Sequence, residues 1–289
     1  MAIRTILISF FATLAGVGST FAAGLPQHAP TLTPEGFPFP ISNSMVMVWM
    51  AAAIIILFAQ VATRKMALVP TGLQNFAEWL VESLYNFLKG ILGEHLVKRT
   101  FWFFGTIFIL ILVNNWIGLL PGVGTVGWDA HGHEHVSHPL MRGGNADLNM
   151  TLAMSLTFAV LWLYWAITEN GVKGFFAHIF APKGKFGGPM KIMMILVFGM
   201  VGLIEVASIA LRPVALSFRL YGNIFAGENL LEGMMMLGLP NWLMWLPPLP
   251  FYFLELLVGV IQALVFMLLT AVFLKLICEH DDHDEDHAH

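Results

Sequence analysis

Long uninterrupted apolar runs leave this chain few ways to fold. Residues 44–62, SMVMVWMAAAIIILFAQVA, carry no formal charge, and comparable runs recur to residue 278. About 20 apolar residues in a helix cross the ~30 Å of hydrocarbon in a bilayer. In that medium every backbone N–H and C=O must find a partner within the protein, so helices and closed barrels are the spanning solutions. A barrel would read as short alternating segments. These runs are continuous and rich in Leu, Met, Phe and Ala. Only 11% of the 289 residues are charged, against about 25% in a soluble domain. The expected fold class is an all-α polytopic membrane protein.

The N-terminus, MAIRTILISFFATLAGVGSTFAAG, has Arg4, a short apolar run and then small residues. That is the pattern of a secretory signal peptide over residues 1–23, cleaved near Ala22 or Ala23. The extracytoplasmic segment 24–43 follows, too rich in proline for a helix. The first span, 44–62, ends at Arg64 and Lys65. Residues 73–93 place Gln74, Glu78, Glu82, Asn86 and Lys89 nearly every fourth position, which predicts an amphipathic helix at the membrane surface or against partner helices. Further spans are expected at 101–120 and 149–168. Cations cluster in 61–100 and in the loop 169–191, whereas the loop 121–148 holds only Arg142. The positive-inside rule puts the two basic regions in the cytoplasm. The mature N-terminus is then outside, as a cleaved signal also requires. A bacterial inner membrane fits that start. The acidic, His-rich tail 279–289 reads as a solvated cytoplasmic end. Cys278 is alone, so no intrachain disulfide forms, and no basic patch points to nucleic acid.

Residues 190–238 lack a turn signal and are too long for one upright span. Arg212–Pro213 cannot reverse a helix pair, so one long, strongly tilted element is expected, bent at Pro213. After PPLP at 247–250 a second long element runs to about 278 and completes an antiparallel hairpin. Within these apolar elements stand Glu205, Arg212, Arg219, Glu228, Glu232 and Glu255, with Asn223 and Gln262 as neutral companions. A charge at the bilayer centre costs ~2.5–3.5 kcal/mol on insertion scales, so each marks a candidate site. Glu232 is the one best placed to snorkel from a helix end. Glu205, Arg212 and Arg219 recur every seven residues, within ~40° of one another, and Asn223 extends that face. Glu228 falls ~180° away and ~13.5 Å along the axis from Arg219. Glu255 and Gln262 share a face of the second element. Arginine keeps its proton in a protein, while a carboxyl removed from water can exchange one near neutral pH. A fixed cation on one face with acids on another suits proton movement. No carboxylate of this chain is placed to meet Arg219, which points to a partner subunit.

The strings RPVALSFRLYGNIFAGE (212–228) and LELLVGVIQALVFMLLTAVFL (254–274) resemble the a subunit of the membrane sector of F-type ATP synthase. NNWIGLLPG (114–122) and ADLNMTLAMSL (146–156) resemble its other signatures, and the likeness runs in order through residues 44–278. The resemblance implies a stator with two aqueous half-channels set against a rotating ring of c subunits. It also implies b-type peripheral stalk subunits, the catalytic sector and the lipid bilayer as surroundings, and no cofactor. Arg219 would be the essential arginine facing the ring carboxylate, favouring its charged form and so displacing its proton. Asn223, Glu228, Glu255 and Gln262 match positions of the outer half-channel or ring-facing surface, and Glu205 and Arg212 match polar positions nearer the cytoplasmic path. Two departures stand out: Glu255 where some members have histidine, and Gly118 where some have aspartate. Asp147 reads either as a residue at the channel mouth or as a cap on the next helix. The chain has no G-x-x-x-x-G-K-[ST] loop for nucleotide phosphates, so it is expected to be no enzyme by itself.

Two other function classes are weaker. A secondary transporter would be expected to carry internal repeats, and none is visible. A metal-handling protein would use the histidines of HGHEHVSH (131–138) and of the tail. No cysteine or helical H-x-x-x-H framework organises those ligands, so a hydrophilic insertion is the simpler reading.

Overall fold

The computed structural model describes residues 29–33, 40–120, 123, 127–128, 138–139, 141–180, 189–235, 243 and 245–278. The expected signal peptide, the histidines 131–135 and the tail lie outside the described residues. Among the described residues five α-helices carry the fold: α1 Asn43–Thr63, α2 Leu73–Gly118, α3 Leu148–Phe180, α4 Pro189–Met235 and α5 Pro248–Cys278. Each is long and apolar enough to cross a membrane. A short 3-10 turn, Gly144–Ala146, precedes α3, and a two-residue ladder pairs Gly127–Trp128 with His138–Pro139.

Helix boundaries follow local chemistry. Ser42 caps α1, its Oγ accepting from the Met45 N–H at 3.4 Å, which satisfies one of the open donors of the first turn. Gln74 ties the α1–α2 connection to α2 by bonding both backbone groups of Ala67, at 3.1 and 3.0 Å, and it donates to Glu78. Two expectations about boundaries are corrected. The span expected to start at 101 begins at the break at Gly93 (φ 78°), so the chain resumes its helix through Lys98 and Arg99. The segment 169–191, expected as loop, contains the last helical residues of α3 beyond a second break at Gly171 (φ 68°). Both breaks use a left-handed conformation open to glycine and costly for other residues. In contrast, α4 runs unbroken through Pro213 as one element of 47 residues.

The helices alternate in direction. Arg99 pairs with Glu169, and Asn170 Nδ2 donates to Ile277 O at 2.7 Å, so these residues and the end of α5 share one end of the bundle. Ser44 Oγ donates to Asp147 Oδ2 at 2.5 Å at the opposite end. The main core joins Leu88, Phe104, Ile111, Trp162, Leu220 and Met267, among others, from α2, α3, α4 and α5. α5 is held closely. Asn115 Nδ2 donates to Gly259 O at 3.0 Å, Trp116 Nε1 to Leu256 O at 3.3 Å and Trp162 Nε1 to Phe273 O at 3.0 Å. A Cβ added at Gly259 would lie 3.1 Å from Asn115 Cβ.

That approach generates a test. Gly259→Leu is expected to force α5 from α2 and lower stability by about 1–3 kcal/mol, the usual scale for overpacking. Gly199→Ala, where an added Cβ meets nothing within 4 Å, is expected to leave stability unchanged. Thermal retention of the folded subunit in detergent checks both.

Candidate functional site

The long helix α4 divides its polar residues between two faces. Its buried stripe consists of Gly202, Pro213, Leu216, Ser217, Leu220, Ile224, Gly227 and Leu231. Arg219 and Asn223 lie on the other side, both exposed, one turn apart. Their neighbours on the open face include Leu211, Val214, Phe218 and Leu230, all exposed. Arg219 makes no hydrogen bond or ion pair among the described residues. An arginine alone on an apolar helix face requires an anion from elsewhere if that face is covered away from water.

Glu228 lies on the inner side, as the helical angle from Arg219 requires. Its side chain is 15% exposed. Glu255 on α5 is buried and sits against Gly227: a Cβ at Gly227 would overlap the Glu255 carboxylate. The glycine therefore makes room for the acid of the neighbouring helix. Gln262, seven residues on, is buried on the same face of α5. Glu228 Oε2 and Glu255 Oε1 are fully buried and accept no hydrogen bond among the described residues. Packing alone does not call for such oxygens, because buried polar atoms are ordinarily satisfied.

Glu205 and Arg212 come together in a way that their shared face permits. Arg212 Nη2 donates to Glu205 Oε1 at 2.8 Å, and the guanidinium lies over the Phe273 ring at 4.7 Å. Arg212 is therefore engaged within the chain, unlike Arg219. Glu232 is half-buried near the end of α4.

Sequence reasoning missed the polar turn that closes the inner end of this site. Arg142 was legible only as a lone loop cation. In the structure it is 4% exposed, with Nε 3.9 Å from Glu228 Oε2 and its guanidinium 5.7 Å from the centre of the Phe225 ring. Asn145 Nδ2 donates to Asn115 Oδ1 at 2.6 Å and to Ile111 O at 3.3 Å. The available signal was the run RGGNAD, whose small residues let backbone enter a packed interior. Asp147 acts as the cap that one reading expected: Oδ1 accepts from the Asn149 N–H at 3.0 Å.

Two buried acids, a separate exposed arginine and, among the described residues, five apolar helices can be compared with known proteins. The sequence profile described as ATP synthase A chain matches residues 45–275. The chain belongs to the ATP synthase A chain family. ATP synthase subunit a of Aliarcobacter butzleri is 32% identical over 232 residues, covering 80% of this chain and 87% of that protein. The subunit a of Gloeobacter violaceus is 32% identical over 242 residues, covering 83% and 86%. That of Helicobacter pylori is 31% identical over 225 residues, covering 78% and 84%. As a member of the ATP synthase A chain family, the protein is a multi-pass membrane protein.

The cap at Asp147 can be separated from a role in ion movement. Asp147→Ala removes both the cap and the acceptor of Ser44 Oγ and is expected to lower stability by about 2–3 kcal/mol, the sum of a helix cap and a buried hydrogen bond. Asp147→Asn, which keeps an accepting oxygen, is expected to retain both assembly and ATP-driven proton pumping of the whole complex. Pumping lost in Asp147→Asn at wild-type assembly would instead make the carboxylate part of the path.

Proposed function

We propose that this chain is the stator of an F-type ATP synthase membrane sector, carrying protons through two half-channels to and from the carboxylates of a c-subunit ring. The observation that carries the reading is the division of charge across α4: Arg219 on an exposed apolar face, Glu228 and Glu255 buried behind it. The exposed face is the surface for the ring. There Arg219 meets each ring carboxylate and favours its charged form, so that the carboxylate gives up its proton before it passes. Asn223 shares that surface. Glu228, Glu255 and Gln262 line the outer half-channel, with carboxylates able to pass protons inward. Arg212 and Glu205 border the cytoplasmic path, about two and four turns from Arg219 along α4. A permanent cation between the paths repels protons and keeps the half-channels from joining.

The geometry of α4 suits a ring-facing role. Its apolar stretch Leu196–Met235 has 40 residues, ~60 Å at 1.5 Å per residue. That is about twice the hydrocarbon thickness, so the helix lies strongly tilted in the membrane with α5 as its antiparallel partner. Residues 73–93 of α2 form the amphipathic helix at the surface. Residues 44–278 are the membrane domain, preceded by a signal peptide at 1–23 and the segment 24–43, and followed by the cytoplasmic tail 279–289. The basic residues Lys98 and Arg99 share a bundle end with the last turn of α5. The positive-inside rule then places that end in the cytoplasm of a bacterium and the mature N-terminus outside its inner membrane. The b-type stalk subunits and the catalytic sector complete the complex. One charge crossing 100 mV is worth ~2.3 kcal/mol, so several protons pass for each ATP, and the phosphate chemistry belongs to the catalytic sector.

The test is ion-driven ATP synthesis in membrane vesicles that hold the whole complex. Arg219→Ala is expected to abolish coupled synthesis while the complex still assembles. Normal coupled synthesis in that variant would remove Arg219 from its assigned role and make Arg212 the next candidate.

A further inference from the structure

The geometry points to Arg142 as a positioning residue of the ion path, one that the turn before α3 carries into the bundle to hold the Glu228 carboxylate in place. The inference rests on reading Glu228 as an acid of the outer half-channel. It adds to that reading a second fixed cation, on a different element from Arg219 and on the opposite side of α4.

Three observations carry it. First, Arg142 is 4% exposed although it belongs to the connection between α2 and α3. A guanidinium cannot escape the cost of burial by losing its proton, so a buried arginine is favourable only where an anion compensates it. Glu228 Oε2 lies 3.9 Å from its Nε. Second, the same face of α4 supplies an aromatic ring. Phe225, three residues before Glu228, presents its ring 5.7 Å from the guanidinium, and Tyr221 stacks on Phe225 at 5.3 Å. Cation–π attraction at that range strengthens when the cation is desolvated. Ring and carboxylate together fix where the guanidinium sits.

Third, the turn that delivers Arg142 is built for close approach. A Cβ at Gly143 would lie 2.5 Å from Glu228 Oε1, and one at Gly144 would lie 2.5 Å from Val48 Cγ2 and 2.8 Å from Asn114 Oδ1. A side chain at Gly143 would displace the Glu228 carboxylate, and one at Gly144 would displace Val48 or Asn114. Asn145 then anchors the turn to α2 through Asn115 and Ile111, and Asp147 anchors it to α1 through Ser44. Glu228 is thus flanked by the Arg142 side chain and by the backbone of Gly143. The other acids that act on it are Glu255 from α5 and Glu232 from its own helix.

The experiment measures passive proton conduction of the membrane sector, in vesicles stripped of the catalytic sector, with the amount of assembled subunit determined for each variant. The variants are Arg142→Gln, Arg142→Lys, Glu228→Gln and Arg142→Gln/Glu228→Gln. Arg142→Gln is expected to lower conduction roughly ten- to hundredfold at equal assembly, the scale on which small displacements of a reacting group act. Arg142→Lys is expected to restore most of it, since the contact uses charge and no bidentate fork. The double variant is expected to conduct no worse than Glu228→Gln alone, because the arginine acts through that acid. Wild-type conduction in Arg142→Gln, failure of Arg142→Lys to rescue, or additive losses in the double variant would each overturn the inference. If Arg142→Gln does not assemble, the double variant is expected to assemble, since it removes the uncompensated acid as well; failure of both overturns the pairing. Normal conduction in Glu228→Gln would remove Glu228 from the path, and this inference with it. A defective Glu228→Gln beside a normal Arg142→Gln would overturn the inference alone.

Discussion

Among the described residues, four side chains of neighbouring helices donate hydrogen bonds into the backbone of α5, and the rest of the molecule is arranged around that attachment. Asn115 and Trp116 reach it from α2, Trp162 and Asn170 from α3. In lipid, apolar contact alone does not draw helices together, because hydrocarbon chains are as apolar as leucine. Side-chain donors shared with helix carbonyls and small residues at crossings supply the specificity instead. Gly259 is such a crossing, and the donors on either side of it fix the rotation of α5. That rotation decides that Glu255 and Gln262 face inward while Phe253, Leu257 and Ile261 face out.

With α5 fixed, α4 must choose which face to bury, and its sequence permits one choice. The stripe of Leu216, Leu220, Ile224, Gly227 and Leu231 packs inward at helical spacing. Glu228 goes in beside that stripe and Arg219 stays out, so helical geometry alone separates opposite charges by half a turn of the cylinder. Such a separation would be unstable in an isolated apolar helix. Here Arg142 lies 3.9 Å from the inward carboxylate, and the outward cation stands on an exposed apolar face. Arg212, by contrast, is held within the chain by Glu205 and Phe273.

Much of this was legible in the sequence. Apolar run length identified the spans, and the absence of a turn near Pro213 identified α4 as one element. The angle between Arg219 and Glu228 followed from counting residues. What counting could not reach was any contact between distant segments. Arg142 lies far from Glu228 along the chain, and nothing in local periodicity says that a loop arginine enters the bundle. Glu255 against Gly227 was likewise hidden: each was visible as an acid or a glycine, but their apposition depends on the register of α5 against α4. The helix through Lys98 and Arg99 was hidden for a different reason: the two charges suggest a boundary just before residue 101, while the backbone break occurs at Gly93.

The small ladder between Gly127–Trp128 and His138–Pro139 has a practical consequence for anyone handling the protein. It ties the two arms of the α2–α3 connection together before the chain reaches the buried turn at Arg142. Chain added beyond a tied base alters closure entropy only slowly with length. A tag or label inserted beyond the Trp128–His138 pair is therefore expected to leave the ladder, and the buried turn after it, in place.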